Sequence, residues 1–456
     1  MRQPRPALTQ EKLPQVVATE NGIYSKVVVL QQPRLLRSIL RQLEQLMVRH
    51  LLATALLAAA SFHAHGVEPV SGAAAKLHEQ AIVLDTHLDT PSNLPRPGWS
   101  ILDDHRHEGE FAQVDLPRMK AGGLDGGFWV IYTAQGPRDE EGRRAARDHG
   151  LSRLTAIREM LAAHPDHFEL ALTADDARRI EREGRRIVFL SMENASPLAA
   201  DPSLLRFYHS LGLRMLGITH TRNNEFGDSS TDPARAEWGG LSAAGKSLVQ
   251  EANRLGIVID ASHASDTVFD QLLELSQAPI VLSHTSADAL HDHPRNIDDE
   301  RLRKLAAKGG VIHVNALGAY LVPTPKIPER EAANAALREK FGAHSALSAA
   351  QVQAWLAAQA EIDRRYPIPR ANLDDYMRHV LHILQVVGPR HVGLGADWDG
   401  GGGVEGLDDV SALPLITRRL MDAGYSEQDI RDVLGENLLR LLDTVQARAA
   451  DLVKQD

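Results

Sequence analysis

The sequence has no cysteine. Disulfides, thiolate zinc fingers, iron–sulfur clusters and cysteine nucleophiles are excluded together, so a metal site would have to be built from histidine and carboxylates. A chain without thiols tolerates an oxidising or a reducing compartment, so the absence does not fix where the protein works. No apolar run reaches the ~18–20 residues that span a bilayer. Basic residues are the minority, 50 against 60 acidic, for a net charge of −10. A general nucleic-acid binder is excluded on that balance. What is present is 43% hydrophobic and 24% charged residues in 456, the profile of a globular enzyme. The 21 histidines are a high count.

Residues 47–66, MVRHLLATALLAAASFHAHG, read as a secretory signal peptide. Arg49 and His50 form a short basic start, Leu51 to Ala60 the apolar segment, and Ala64 and Gly66 suit a cleavage site. Met47 then reads as the true start, and 1–46 as an upstream extension absent from the mature protein. Removing 1–66 leaves 42 basic and 57 acidic residues, a net of −15. The mature protein is expected to be secreted, and periplasmic if the source is Gram-negative. With no lipobox cysteine, no lipid anchor is expected.

Residues 67–456 carry no Gly/Ser tract, charge block or short repeat, and read as one domain. Eight apolar, β-branched runs are expected strands: 81–87, 127–133, 186–193, 214–220, 256–263, 279–285, 310–316 and 391–397. Helical patterns lie between them at 138–163, 203–211, 241–255, 265–276, 298–308 and 373–387. Ser265 and the Asp298-Asp299-Glu300 run mark two helix starts. Strand and helix in alternation imply a parallel sheet, and eight units in one domain point to an α/β fold, a (β/α)8 barrel of the TIM type. An open doubly wound sheet is the alternative, weakened because no GxGxxG follows the first strand. Residues 322–372 form an insertion before the last strand, expected to be helical and to flank or cover a site.

Six of the eight runs finish in ionisable residues: Asp85, His87 and Asp89; Glu193; His220; Asp260 and His263; His284; and Asp397. A barrel gathers these ends on one rim, where so many polar groups are costly to bury without a metal. Residues i and i+2 of a strand point the same way, so His87 and Asp89 can grip one cation. His263 and His284, on adjacent strands, can grip a second, with Glu193 bridging. Nitrogen and carboxylate ligands suit two Zn2+, with other divalent metals as substitutes. Two such metals lower the pKa of a shared water so that it yields hydroxide, and Asp397 can take the water's proton and deliver it to a leaving amine.

The segments DTHLDT (85–90), FAQVDLPRM (111–119), SMENA (191–195), ITHTRNN (218–224), DASHAS (260–265), VLSHTSA (281–287), HPRNIDDE (293–300) and VGLGADWDG (392–400) together resemble the membrane dipeptidase, or renal dipeptidase, family of the amidohydrolase superfamily. The resemblance runs from about residue 80 to the C-terminus. It implies that His87, Asp89 and Glu193 hold one zinc and that Glu193, His263 and His284 hold the other, the five that spacing also selects. By the same resemblance His220 contacts the substrate near the scissile carbonyl oxygen. Arg295 pairs the substrate carboxylate, and Asp397 shuttles the proton and anchors the free amine. The expected enzyme is a zinc metallopeptidase that cleaves free dipeptides, including those with a D-residue at the C-terminal position. β-Lactam amides are carried with the family. Another binuclear-metal amidohydrolase, acting on acylated amino acids or lactones, is the second reading. A homodimer is implied. The disulfides and glycolipid anchor of mammalian members do not carry over, so no stable membrane anchor is expected. The aromatic after the seventh strand's Val-Asn is replaced near Ala316-Leu317, which leaves the substrate preference open.

Other polar residues have plainer readings. His105 and His107, in DDHRHEGE, read as solvated loop, and His291 and His293 as loop residues flanking Arg295. His313 reads as a hydrogen-bonded core histidine and Trp129 as barrel packing. Asp399 reads as a loop cap. Asp85 and Asp260 precede His87 and His263 by two and three positions, where a carboxylate can brace a ligand imidazole. Gly400 to Gly403 lack the Lys-Ser/Thr of a phosphate loop.

Overall fold

A computed structural model describes residues 70–106, 109–342 and 346–454. The upstream extension, the signal-peptide segment and His107 lie outside the described residues.

The strands are β1 (Leu84–Leu88), β2 (Gly126–Tyr132), β3 (Phe168–Leu170), β4 (Arg186–Glu193) and β5 (Leu213–Gly217). β6 (Val258–Asp260), β7 (Val281–Ala287), β8 (Asn296–Ile297), β9 (Val311–Val314) and β10 (Val392–Leu394) follow. The parallel order β2-β1-β10-β9-β7-β6-β5-β4 closes on itself because β2 also pairs β4 along its whole length, from Gly126↔Ile187 to Tyr132↔Glu193. This is a closed eight-stranded (β/α)8 barrel, and its eight strands are the eight apolar runs. The open-sheet alternative is set aside by that closure. β3 and β8 were not among the expected strands. They are three and two residues long and lie beside β4 and β7 rather than in the barrel wall.

All six expected helices form, within a few residues of their predicted ends, as Glu140–Ala163, Leu204–Ser210, Ala243–Leu255, Asp266–Leu275, Asp299–Ala307 and Leu373–Val387. Side chains cap five of the six, all but Leu204–Ser210. Ser265 accepts from the Val268 amide, Asp298 from that of Arg301, and Asn372 with Asp375 forms a capping box. Each such cap contributes about 1 kcal/mol. The insertion is helical, at Pro328–Phe341 and Ala349–Arg365. Its second helix packs on the loop after β1, where Trp355 meets the Phe111 ring edge-on at 6.2 Å.

The two ends of the barrel differ in chemistry. Leu84, Val258, Val281 and Val311, each the first residue of its strand, share one buried cluster with Phe128, Phe189 and Met215. Leu438, Leu439 and Leu442 of the C-terminal helix Asn437–Val453 belong to the same cluster. The N-terminal end of the barrel is therefore filled with hydrocarbon. Along β4 the same alternation that points Ile187 and Phe189 into this cluster carries Glu193 inward at the opposite end. Trp129 and His313 are buried, as expected of packing residues. His313 Nδ1 lies 3.1 Å from the Leu394 carbonyl oxygen, and burial pushes its pKa down to about 3.

Candidate active site

At the C-terminal ends of the strands the ionisable residues converge on Glu193. Its Oε2 lies 3.5 Å from His87 Nε2, which is itself 3.5 Å from Asp89 Oδ2. Its other oxygen, Oε1, lies 2.9 Å from His263 Nε2 and 3.4 Å from His284 Nε2. One buried carboxylate thus divides its oxygens between two sets of partners, His87 with Asp89 and His263 with His284. His220 Nε2 stands 4.0 Å from Oε1, with Tyr132 edge-on to its ring at 4.9 Å. Asp397 groups with His87 and Asp89, their ligand atoms all within 4.8 Å of one another. Seven of the candidate site residues, His87, Asp89, Glu193, His220, His263, His284 and Asp397, thus come together, and Arg295 lies on the wall beside His284.

The local backbone explains how. Each of β1 and β7 carries a register irregularity, between Asp85 and Leu88 and between Leu282 and Thr285. Such irregularities re-aim side chains that strict alternation would turn away. They bring the rings of His87 and His284 to 3.8 Å between centroids. His284 is therefore mid-strand, not the near-terminal residue that the run 279–285 implied. His263 and Asp397 lie three residues past β6 and β10, with φ of 65° each. Asn194 and Asp399 also have positive φ, 68° and 63°. These four are the only non-glycine residues of positive φ among those described, and left-handed backbone of this kind concentrates at functional sites. Gly400 is required by close approach. A Cβ there would sit 2.2 Å from both Asp397 Oδ1 and Asp89 Oδ2.

The electrostatics fit a cation. Burial alone would lower the His87 pKa, but the Glu193 and Asp89 carboxylates hold it well above the usual imidazole value. Against its own burial, Glu193 is held low by His87 and His220. Burial keeps His263 and His284 well below the ordinary value, hence neutral, as metal-ligating imidazoles must be. Burial raises the Asp397 carboxyl to about 8, with Asp89 and Glu193 adding to the rise. His87 Nε2, which faces Glu193 and Asp89, is buried without a hydrogen-bond partner among the described residues. Unpaired buried nitrogens beside shared carboxylates are what a metal centre requires of its ligands.

Arg295, buried just before β8, donates from Nη2 to the His284 carbonyl oxygen at 3.0 Å. Its guanidinium carbon lies 5.3 Å over the Tyr320 ring, and its Nε has no partner. Among the described residues no carboxylate lies within ion-pair distance of it. His293 Nδ1 accepts from the Arg295 amide at 3.1 Å, so this loop histidine holds the arginine's backbone.

Several readings are corrected. His105 is buried, stacked on Trp99 at 4.8 Å, with Nε2 2.8 Å from the Ser100 carbonyl oxygen, and is not solvated. Asp85 braces backbone and no imidazole, accepting from the His87 and Ala396 amides. Asp260 lies nearest not to its neighbour His263 but to Ser283 on the next strand. Asp399 does pin loops, through Thr90 Oγ1 and the Gln113 amide. Tyr132, Tyr320 and Gly400 were missed. Tyr132 closes an apolar strand and Tyr320 follows the Val-Asn run, but only the fold aims them inward.

A parallel barrel with carboxylates and imidazoles gathered at its strand C-termini defines a metal-dependent hydrolase. A model of the membrane dipeptidase family, peptidase family M19, matches residues 72–456, and the chain belongs to that family of metallo-dipeptidases. Dipeptidase aclJ of Aspergillus oryzae is 30% identical over 351 residues, 76% of this chain and 73% of its own length. Dipeptidase 3 of Rattus norvegicus is 29% identical over 81% of this chain and 67% of its own. The probable dipeptidase PvdM from Pseudomonas aeruginosa superposes with a TM-score of 0.71 at 30% identity, over 82% of this chain and 98% of that one. A metallo peptidase from Rhodobacter sphaeroides, solved with a phosphinate mimic of the dipeptide L-Ala-D-Ala, matches with a TM-score of 0.63 at 27% identity, over 80% of this chain and 99% of that one.

Proposed function

We propose that the chain is a two-zinc dipeptidase that cleaves free dipeptides, with His87, Asp89 and Glu193 holding one metal and Glu193, His263 and His284 the other. The observation that carries the reading is the division of the Glu193 oxygens between two sets of imidazoles. Nitrogen and oxygen donors without thiolate suit zinc. When bound, the metals would supply a nucleophile at neutral pH and polarise the scissile carbonyl.

The chain's own residues do the rest. Arg295, a buried cation with no carboxylate partner among the described residues, takes the substrate's C-terminal carboxylate, as a guanidinium fork suits. His220, near-neutral because burial lowers its pKa, donates a hydrogen bond toward the carbonyl oxygen. Asp397 anchors the free amine and carries a proton from the attacking water to the leaving nitrogen. A site that reads an amine at one end and a carboxylate at the other admits a dipeptide and excludes longer chains. The L-Ala-D-Ala mimic held by the R. sphaeroides relative supports acceptance of a D-residue at the C-terminal position.

The test of two-ended recognition is a panel of an L,L-dipeptide, an L,D-dipeptide, a dipeptide amide, an N-acetylated dipeptide and a tripeptide. Only the first two are expected to be cleaved well. In Arg295→Ala, KM for the free dipeptide is expected to rise about 30-fold or more, the scale for truncating a buried charge pair. The amide, which has no carboxylate to lose, is expected to change far less. Equal effects on both substrates would remove Arg295 from carboxylate recognition, and preferred cleavage of the N-acetylated dipeptide would move the activity to acylated amino acids.

A further inference from the structure

Behind His284 lies a closed hydrogen-bond chain that runs between strands. Ser283 Oγ is 2.6 Å from Asp260 Oδ2 and 2.7 Å from His284 Nδ1, and all three residues are buried. Asp260 Oδ1 accepts from the amides of Ser262 and Ser283, at 2.9 and 3.0 Å. Ser262 Oγ lies 3.3 Å from Ser283 Oγ and accepts from the His284 amide at 3.1 Å.

A hydroxyl has one proton to give. An oxygen pair at 2.6 Å is the length of a hydroxyl donating to a carboxylate, and without a proton between them the two oxygens would repel. Ser283 therefore spends its proton on Asp260 and faces His284 Nδ1 with a lone pair only. The imidazole must answer as a donor, so its proton sits on Nδ1 and its Nε2 lone pair is turned to His263 Nε2, 2.8 Å away, on the Glu193 side.

We infer that Asp260 and Ser283 are positioning residues that lock His284 in the tautomer able to ligate a metal through Nε2. The inference deepens the proposed two-metal reading and rests on it for its consequence, though the tautomer itself does not. No group in the chain has to change its charge. The polarity comes from Asp260 accepting in each of its three hydrogen bonds.

Asp260→Asn inverts that polarity without changing shape. The Asn oxygen can still accept from the two amides, but its NH2 would donate to Ser283 Oγ. The serine proton would then go to His284 Nδ1, and the imidazole proton to Nε2, where it blocks ligation. Ser283→Ala removes the partner without imposing either tautomer, so its effect is expected to be smaller.

The experiment has two arms. In the first, 15N-histidine NMR of the metal-free wild-type chain, with His284 assigned by its loss in His284→Gln, reads the tautomer. A proton on Nδ1 is expected, and one on Nε2 overturns the inference. In the second, zinc is titrated into wild type, Asp260→Asn and Ser283→Ala, with thermal melting of the metal-free proteins as the folding control. The weaker zinc of Asp260→Asn is expected to bind about 10- to 100-fold less tightly than in wild type, the usual scale for a residue behind a ligand. Ser283→Ala is expected to lose less than that. Unchanged affinity in Asp260→Asn, or a larger loss in Ser283→Ala, contradicts the lock. A wild type that takes up no second zinc contradicts the two-metal reading instead, and the first arm then decides the tautomer by itself.

Discussion

Glu193→Gln is expected to lose both of the proposed metals and at least about 10³-fold in kcat/KM, since two such metals would supply several kcal/mol of barrier lowering. The argument is geometric. Oε2 serves the His87 side and Oε1 the His263 and His284 side, so one substitution strips an anionic oxygen from both halves. An amide keeps the volume but offers a single neutral oxygen, and its NH2 faces imidazole nitrogens that should be acceptors. Arg295 adds positive potential at His263 and His284 that the missing charge no longer offsets. The measurement is metal content after dialysis together with the zinc-induced rise in melting temperature. The variant is expected to show neither metal nor rise, because a ligand stabilises only what binds it. A variant that retained two zinc ions would contradict the bridging role.

Asp397→Asn is expected to keep both metals and lose about 10²- to 10⁴-fold in kcat, the range for a general acid–base group. Asp397 lies close enough to His87 and Asp89 that the three could share a metal, so the two roles must be separated. If it shuttles protons, the metals stay and turnover falls. If it is a ligand, a metal is lost as well. The substitution suits the test because residue 397 has φ of 65°, a left-handed conformation that asparagine tolerates better than other residues. Metal analysis beside steady-state kinetics decides between the two roles. Full activity with both metals in place would remove Asp397 from the chemistry.

Much of this was legible in the sequence because a parallel barrel makes position along a strand equivalent to position in space. Eight apolar runs became the eight barrel strands, and their polar ends met. The closeness of His87 and Asp89 was legible, two positions apart in the chain and 3.5 Å apart in the site. It was only partly so for His284, which alternation would turn from the site and a register irregularity turns back. Local deviations of this kind leave no mark in hydrophobic periodicity. The chain from Asp260 through Ser283 was invisible for another reason. Its partners are on different strands, and sequence proximity suggested His263 in place of His284. His105 was misread because a polar loop looks solvated until it folds one of its own aromatics over the ring. Here Trp99 stacks on the ring. The close approach at Gly400 depends on two carboxylates 311 and 3 residues away, which no local pattern records.

The most direct test of the two-metal account is to titrate zinc into the metal-stripped chain while following hydrolysis of a free dipeptide. The account predicts no cleavage without metal, and a rise that reaches its plateau only when two equivalents are bound. A plateau at one equivalent, or cleavage by the stripped protein, would contradict it.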